Sequence, residues 1–316
     1  MNEYLAAKQK RLEDFRIFYN HTIHPELLRM ERKRLRLLLL ISLSLLFFFG
    51  LFVLGIWLEI MVVTLSLMLF VGVYLFILYR RIRKFVQTFK PNIINLITDF
   101  IDDGINYGDL IYEAEKKIDQ KKFSKSGLFA AVPAVYEGED YLRGKIGDIP
   151  FEMCELNVRE ESKVRQRLNY VFKGVFLVAT VNIPVRGKVL VLPRIFRQYT
   201  TREVRQFMLE KGRDADGFIK NREFREIWRT LATLEGAFQN VLSEDMQARL
   251  VDYHDRTEKQ IYLSFQDRKF YVAVTEEKDI LEPYVFRTNV SFELVREFYE
   301  DLTLLLEIVE DFDVNH

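Results

Sequence analysis

The chain carries two uninterrupted apolar runs, residues 37–57 and 60–79, and across 37–79 the only charged side chain is Glu59. No other feature restricts the fold as much. At about 1.5 Å rise per residue, each run makes a helix roughly 30 Å long, the thickness of a bilayer's hydrocarbon core. One helix through all of them would leave Glu59 in lipid, at a cost of about 2–4 kcal/mol. Folded as a hairpin, the same residues put Trp57, Leu58 and Glu59 at the far interface, where an indole and a carboxylate are tolerated. The expectation is two spans joined by a tight turn, with a re-entrant hairpin as the alternative. A secretion signal would start nearer the N terminus, be shorter, and lack a second run behind it. Amphipathic helices of soluble proteins keep a polar stripe that these runs lack. The aliphatic hydroxyls in the spans, Ser42, Ser44, Thr64 and Ser66, are expected to bond their own helices.

Orientation follows from the flanks. Arg29, Arg32, Lys33, Arg34 and Arg36 precede the first run, and Arg80, Arg81, Arg83 and Lys84 follow the second. Cations stay on the cytoplasmic side, so both termini are expected there. Arg34, Arg36, Trp57, Arg80, Arg81, Arg83 and Lys84 become the expected anchors at the membrane interface. Attraction of the basic clusters to anionic headgroups is compatible with this role.

The 46 basic and 46 acidic residues balance overall but are unevenly placed. Residues 1–36 hold nine basic and five acidic side chains, 80–90 hold five basic and none acidic, and 91–316 carry a net charge of −8. Nucleic-acid binding usually needs a basic face, so no nucleic-acid partner is expected. Cys154 is the only cysteine, which excludes an intramolecular disulfide and a thiolate metal cluster.

Around the spans the pattern divides the chain into four parts. Residues 1–36 read as an amphipathic helical arm, with Leu5, Leu12, Phe15, Phe18 and Tyr19 at helical spacing and a break at "NHTIHP". Such a helix packs on the soluble domain or lies on the membrane surface. The hairpin takes 37–79. Residues 80–127 read as a juxtamembrane helical segment, with a stripe of Ile93, Ile94, Ile97, Phe100 and Ile101. Residues 128–316 read as a cytoplasmic α+β domain with an antiparallel sheet and flanking helices. In it "DYLRGKIGDIPFEMCEL" is a hairpin turning at Gly147-Asp148, and "NYVFKGVFLVATVNI" and "GKVLVLPRI" are strands joined across Pro184 and Gly187. "REIWRTLATLE" adds a further β-rich run, and "QIYLSFQDRKFYVAVT" a second hairpin. "SEDMQARLVDYHD" is a helix capped by Ser243. The tail is a helix capped by Ser291 with Leu294, Phe298, Leu302, Leu305, Val309 and Phe312 inward. The charged stretch 197–223 reads as a surface helix and loop.

The order of several phrases is familiar. "FYNHTIHPELLRMERKR" precedes the spans and "FKPNIINLITDFIDDGINY" follows them. "YEGEDYLRGKIG", "FKGVFLVATVN" and "LEGAFQNVLSEDMQARLVD" come after. The chain from about residue 15 onward resembles the bacterial membrane proteins of domain-of-unknown-function family 3137. The resemblance implies a bacterial inner-membrane protein with a mostly cytoplasmic α+β domain, and it supplies no activity or site residues.

No phosphate-cradling loop, dinucleotide fingerprint or nucleophile elbow occurs. His21 and His24 share a helical face without a completing ligand, and the four histidines read as ordinary surface residues. Cys154 with His254 is the one Cys–His pair of the soluble region, yet Cys154 falls in a strand, away from the helix N terminus that lowers a thiol pKa. Asp99, Asp102 and Asp103 sit near a helix end, and Glu137, Glu139 and Asp140 in a "YEGED" turn. Neither group has a calcium-loop spacing. No cofactor and no metal is expected. The recognition surface of choice is Tyr136, Glu139, Asp140 and Tyr141 around Gly138, where aromatic and acidic groups suit a protein partner. The expected function is a membrane-anchored, non-catalytic module that binds a protein partner or lipid headgroups, with self-association open. The alternative is a membrane-tethered, carboxylate- or metal-dependent hydrolase without a linear motif.

Overall fold

The computed structural model describes residues 2–104, 106–161, 167–181, 187–195, 198–234, 241–266, 268–277 and 281–310. The chain forms two compact units, one of residues 1–100 with 280–299 and one of 101–279 with 300–316.

In the first unit α1 (Asn2–Phe18) continues through a π-helical turn, Tyr19–Ile23, into α2 (His24–Trp57). The expected break at "NHTIHP" is thus a bulge within a continuing helix. His24 N–H reaches back to the Tyr19 carbonyl, and Pro25 stands in the first turn of α2, where its missing donor matters least. Leu58 and Glu59 form the turn, with Glu59 at φ 58°, and α3 (Met61–Ile101) returns. Both α2 and α3 are long and apolar enough to cross a membrane. Their apolar side chains face outward, with Trp57 80% and Val62 83% exposed. They pack on each other where Gly55 meets Thr64, since a Cβ at Gly55 would stand 2.7 Å from the Thr64 side chain. Ser42, Ser44, Thr64 and Ser66 each donate to a carbonyl three or four residues back in their own helix.

Further sequence expectations are corrected in this unit. The stripe of Ile93, Ile94 and Ile97 is buried, but it belongs to the same 41-residue helix as the second span, which passes through Pro91 without stopping. Arg34, expected at the membrane interface, is only 4% exposed. It makes a forked pair with Glu31 at 2.9 and 2.6 Å and donates to the Val285 carbonyl at 2.5 Å. Its charge is satisfied inside the unit, and the segment 280–299, expected in the soluble domain, belongs here. Arg36, Arg80, Arg81, Arg83 and Lys84 are exposed. The arm is held by aromatic packing: Phe15 is fully buried and stacks on Tyr299 with ring centroids 3.8 Å apart, and Phe18 lies 4.7 Å from Phe100. The side chain of Leu5 lies outside the described residues.

The second unit begins in β structure. β1 (Tyr107–Glu113) falls within 80–127, the stretch expected to be helical; that reading holds for the end of α3 and for α4 (Gln120–Lys125). β2 (Val135–Ile146) and β3 (Ile149–Glu161) form the expected hairpin about Gly147-Asp148, followed by β4 (Leu168–Thr180) and β5 (Val189–Pro193). Pro184, in the link between β4 and β5, lies outside the described residues. Then come α5 (Gln198–Leu209), β6 (Arg213–Asp214), α6 (Arg222–Ile227) and β7 (Trp228–Ala232). α7 (Glu244–Thr257), β8 (Ile261–Gln266), β9 (Lys269–Thr275) and α8 (Phe292–Glu310) complete the order.

The described strands make one nine-stranded antiparallel sheet, β1-β2-β3-β4-β9-β8-β5-β7-β6. β4 and β5 are not neighbours, because the β8–β9 hairpin is inserted between them. On one face Cys154, Leu156, Phe172, Phe176, Tyr262 and Tyr271 form a core under Phe123 of α4, Phe129 and Phe207 of α5. The opposite-facing residues of β8 and β9, Leu263, Phe265, Phe270 and Val272, are equally buried. Both faces of the central strands are therefore dry, which explains why these segments read as continuous apolar runs as much as alternations. In α8 the buried stripe is Val295, Tyr299, Leu302, Leu305 and Val309, one residue away from the expected Leu294 and Phe298 at its start, while Phe312 lies outside the described residues.

Candidate functional site

A cleft of about 1150 Å³ lies in the second unit between α5 and the segment 124–134. The α5 spacing builds one wall. Glu203, Phe207 and Glu210 recur at helical intervals and so share a face. Phe207 is 2% exposed and roots the helix in the sheet core, which carries Glu203 down with it. The floor is Phe129, Leu190 and Phe207, all buried. The opposite wall is held by hydrogen bonds to the sheet: Ala134 N–H donates to the Arg159 carbonyl at 2.9 Å, Val132 N–H to Glu160 Oε1 at 3.2 Å, and Gln266 Nε2 to the Lys125 carbonyl.

Charges around the cleft are mostly paired across it. Lys188 Nζ lies 3.1 Å from Glu210, and Arg202 lies 3.0 Å from Glu160. Glu203 is the exception. It is 8% exposed, its carboxylate opens onto the cleft, and among the described residues it makes no hydrogen bond or ion pair. Its Oε1 would lie 3.5 Å from a Cβ on Gly127, so it sits directly over that glycine. Burial, with Glu210 adding to it and Lys188 opposing, pushes its pKa up to about 7. Glu210, bonded by Lys188 and Gln206, is held below the usual carboxylate range. A buried carboxyl poised near neutrality in a cleft of this size is the combination that marks functional sites. Sequence reading missed it, having taken 197–223 for a solvated surface. The available signal was Val204 and Phe207 recurring beside Glu203 on one face of an otherwise charged helix.

The recognition surface chosen from sequence is placed differently from expectation. "YEGED" is no turn but part of β2, with a bulge between Glu139 and Leu142 where Asp140 adopts φ 57°. The bulge divides the four residues. Tyr141 is buried in the core face, with Tyr136 packed against that core. Tyr136 donates to the Ile118 carbonyl at 2.9 Å and Tyr141 to Glu152 at 3.0 Å. Burial raises both phenol pKa values, that of Tyr141 to about 12. Glu139 and Asp140 instead meet Glu155 of β3, with carboxylate oxygens within 4.8 Å of one another. Asp140 is held there by the Tyr112 hydroxyl at 2.5 Å. The two tyrosines are thus structural anchors.

The remaining candidates have structural partners. Cys154 is buried, accepts from Ile118 N–H at 3.3 Å, and has its thiol pKa pushed up to about 12 by burial, the opposite of an activated nucleophile. His254 Nδ1 lies 2.9 Å from the Lys259 carbonyl, and its ring meets Trp228 edge-on. Asp103 accepts from the N–H groups of Asn106 and Tyr107, and Asp102 from that of Gly104, so these acids shape the approach to β1.

Residues 170–314 match the family described as "Protein of unknown function (DUF3137)". The match takes in β4 through α8, so the family phrases that precede residue 170 lie outside it. Among solved structures, the crystal structure of the mycobacterial trehalose monomycolate transport factor A, TtfA, is similar to 62% of this chain and 88% of that chain, at 12% identity and a TM-score of 0.33. No curated protein matches the sequence.

Proposed function

We propose that the protein is a membrane-anchored binding module: α2 and α3 cross the bacterial inner membrane as a hairpin, both termini stay in the cytoplasm, and the sheet unit docks a protein partner through its α5 cleft. The observation that carries the reading is the outward-facing apolar surface of both helices. Leu46, Trp57, Val62 and Phe70 each present most of their surface outward, at 74%, 80%, 83% and 72%. Water does not tolerate such a surface over two full spans, and lipid does. Arg36 precedes the first span, and Arg80, Arg81, Arg83 and Lys84 follow the second, whereas the turn offers only Trp57 and Glu59. That asymmetry favours cytoplasmic feet and an outside turn.

Fractionation and protease protection test it. The full chain is expected in the membrane pellet after alkaline carbonate washing. In spheroplasts, external protease is expected to leave a C-terminal tag intact and to reach it only after the membrane is opened. Recovery in the carbonate supernatant, or loss of the tag in sealed spheroplasts, would end this reading.

A further inference from the structure

The charges of the α5 cleft do not cancel. Lys188 is matched by Glu210 and Arg202 by Glu160. At the rim, exposed Lys125 and exposed Glu161 offset each other in sign. What is left over is the carboxylate of Glu203, the most deeply placed acidic group of the cleft, bonded to nothing among the described residues. A buried carboxylate without a partner is costly, and a ligand that supplies a cation removes that cost. The cleft also exceeds the roughly 300–1,000 Å³ usual for small-molecule sites, at about 1150 Å³. It runs from Gly127 and Gln266 to Glu160 and Glu161 over an apolar floor. Volume and apolar floor suit a chain segment, and the floor suits the methylene stem of a long basic side chain.

We propose that the cleft receives an extended polypeptide segment and that Glu203 takes the ammonium of a lysine side chain within it. The proposal rests on the cleft being the docking surface of the module, and it names the partner's chemistry. Lys188 and Glu210 flank the acceptor, and Lys188 keeps a second cation out of the Glu210 end. Because Glu203 must be ionised to serve, affinity rises with pH from 6 to 8. The charged groups that face it around the cleft are Lys188, Glu210, Arg202 and Glu160.

The test is fluorescence anisotropy on the full chain in detergent micelles, with labelled twelve-residue alanine-rich peptides carrying one central lysine, norleucine or glutamate. The lysine peptide is expected to bind at least tenfold more tightly than the norleucine peptide at pH 8, and by a smaller margin at pH 6. Glu203→Gln is expected to remove that preference. Glu203→Asp, which keeps the charge on a shorter stem, should retain part of it. Equal binding of all three peptides would overturn the ammonium assignment and leave the docking surface standing. Binding of none would remove the docking surface as well, without touching the membrane assay above. Free n-butylamine that binds as tightly as the lysine peptide would overturn the polypeptide occupant.

Discussion

Lys259 Nζ lies 2.7 Å from Asp301 Oδ2, joining the approach to β8 with α8. Glu276 approaches the same ammonium at 2.6 Å, and the Tyr253 hydroxyl of α7 donates to the other oxygen of Asp301 at 2.9 Å. The Lys259 side chain is 11% exposed. Burial lowers its pKa, but Asp301 and Glu276 together outweigh burial and the net direction is up. Folding therefore favours the ammonium, a contribution fully present below the unfolded lysine range and lost as pH rises through the folded pKa. For Asp301 burial outweighs Lys259 and the direction is also up, so the carboxylate depends on its cation. Lys259→Met, which leaves two buried carboxylates facing each other, should cost about 3–5 kcal/mol. Asp301→Asn should cost less, since Lys259 keeps Glu276 and the amide oxygen still accepts from Tyr253. Guanidinium titration followed by Trp228 fluorescence, in a Trp57→Phe background, measures both.

Glu203 sets a pH window for stability. Its folded pKa, about 7, stands above the unfolded carboxylate value of 4.5. The folded state binds the extra proton between those values, so stability falls as pH rises through that window and is flat above it. Glu203→Gln should remove this slope, melting higher than the parent at pH 8 and close to it at pH 4.5. Melting curves of the two proteins at half-unit pH steps check it. Parallel curves would mean that Glu203 is not buried as described.

The hairpin closes at Gly55. An alanine methyl there would stand 2.7 Å from both the Cγ2 and Oγ1 of Thr64 and 2.8 Å from its Cβ. Gly55→Ala should therefore push α2 and α3 apart and cost about 1–3 kcal/mol, against an intrinsic helix gain of about 1 kcal/mol. Adding Thr64→Gly clears all three atoms and should restore part of the loss. Thermal melts in detergent, followed by Trp57 fluorescence in a Trp228→Phe background, read both variants.

Gly174 lies in β4 at φ 144°, where a Cβ would drive into the Val274 carbonyl and the Glu276 N–H of the neighbouring strand. Gly174→Ala combines an unfavourable backbone conformation with a clash inside the sheet, and should cost about 2–4 kcal/mol. Hydrogen exchange should show the loss first in amides of β4 and β9, which pair directly.

Much of the local structure was legible in the residues alone. The apolar runs are long enough to be read as two helices from their residues alone. Ser243 accepts from Met246 N–H at 3.1 Å, as a serine before two acids and an amphipathic run should. The turn at Gly147-Asp148 and the β8–β9 hairpin are set by neighbours in sequence, and such contacts need little from the rest of the chain. The "NHTIHP" stretch misled because a π turn absorbs a helix breaker that an α-helix cannot.

The candidate sites were legible only in part. Tyr136 and Tyr141 carry the right chemistry for recognition, but strand alternation and the bulge turn their rings into the core. Arg34 has the right position for a lipid anchor, but Val285, 251 positions away, supplies a carbonyl that takes it inward.

What the amino-acid order determined by itself is therefore whatever depends on short-range periodicity and on the transfer of apolar surface from water: two long apolar helices, the basic residues beside them, the hairpins and the Ser243 cap. Only the tertiary fold decided that the β8–β9 hairpin separates β4 from β5, and that Glu203 stands buried and unmatched in a cleft. The reason is that burial and pairing of a charge depend on which distant segments arrive beside it, and no interval along the chain records that.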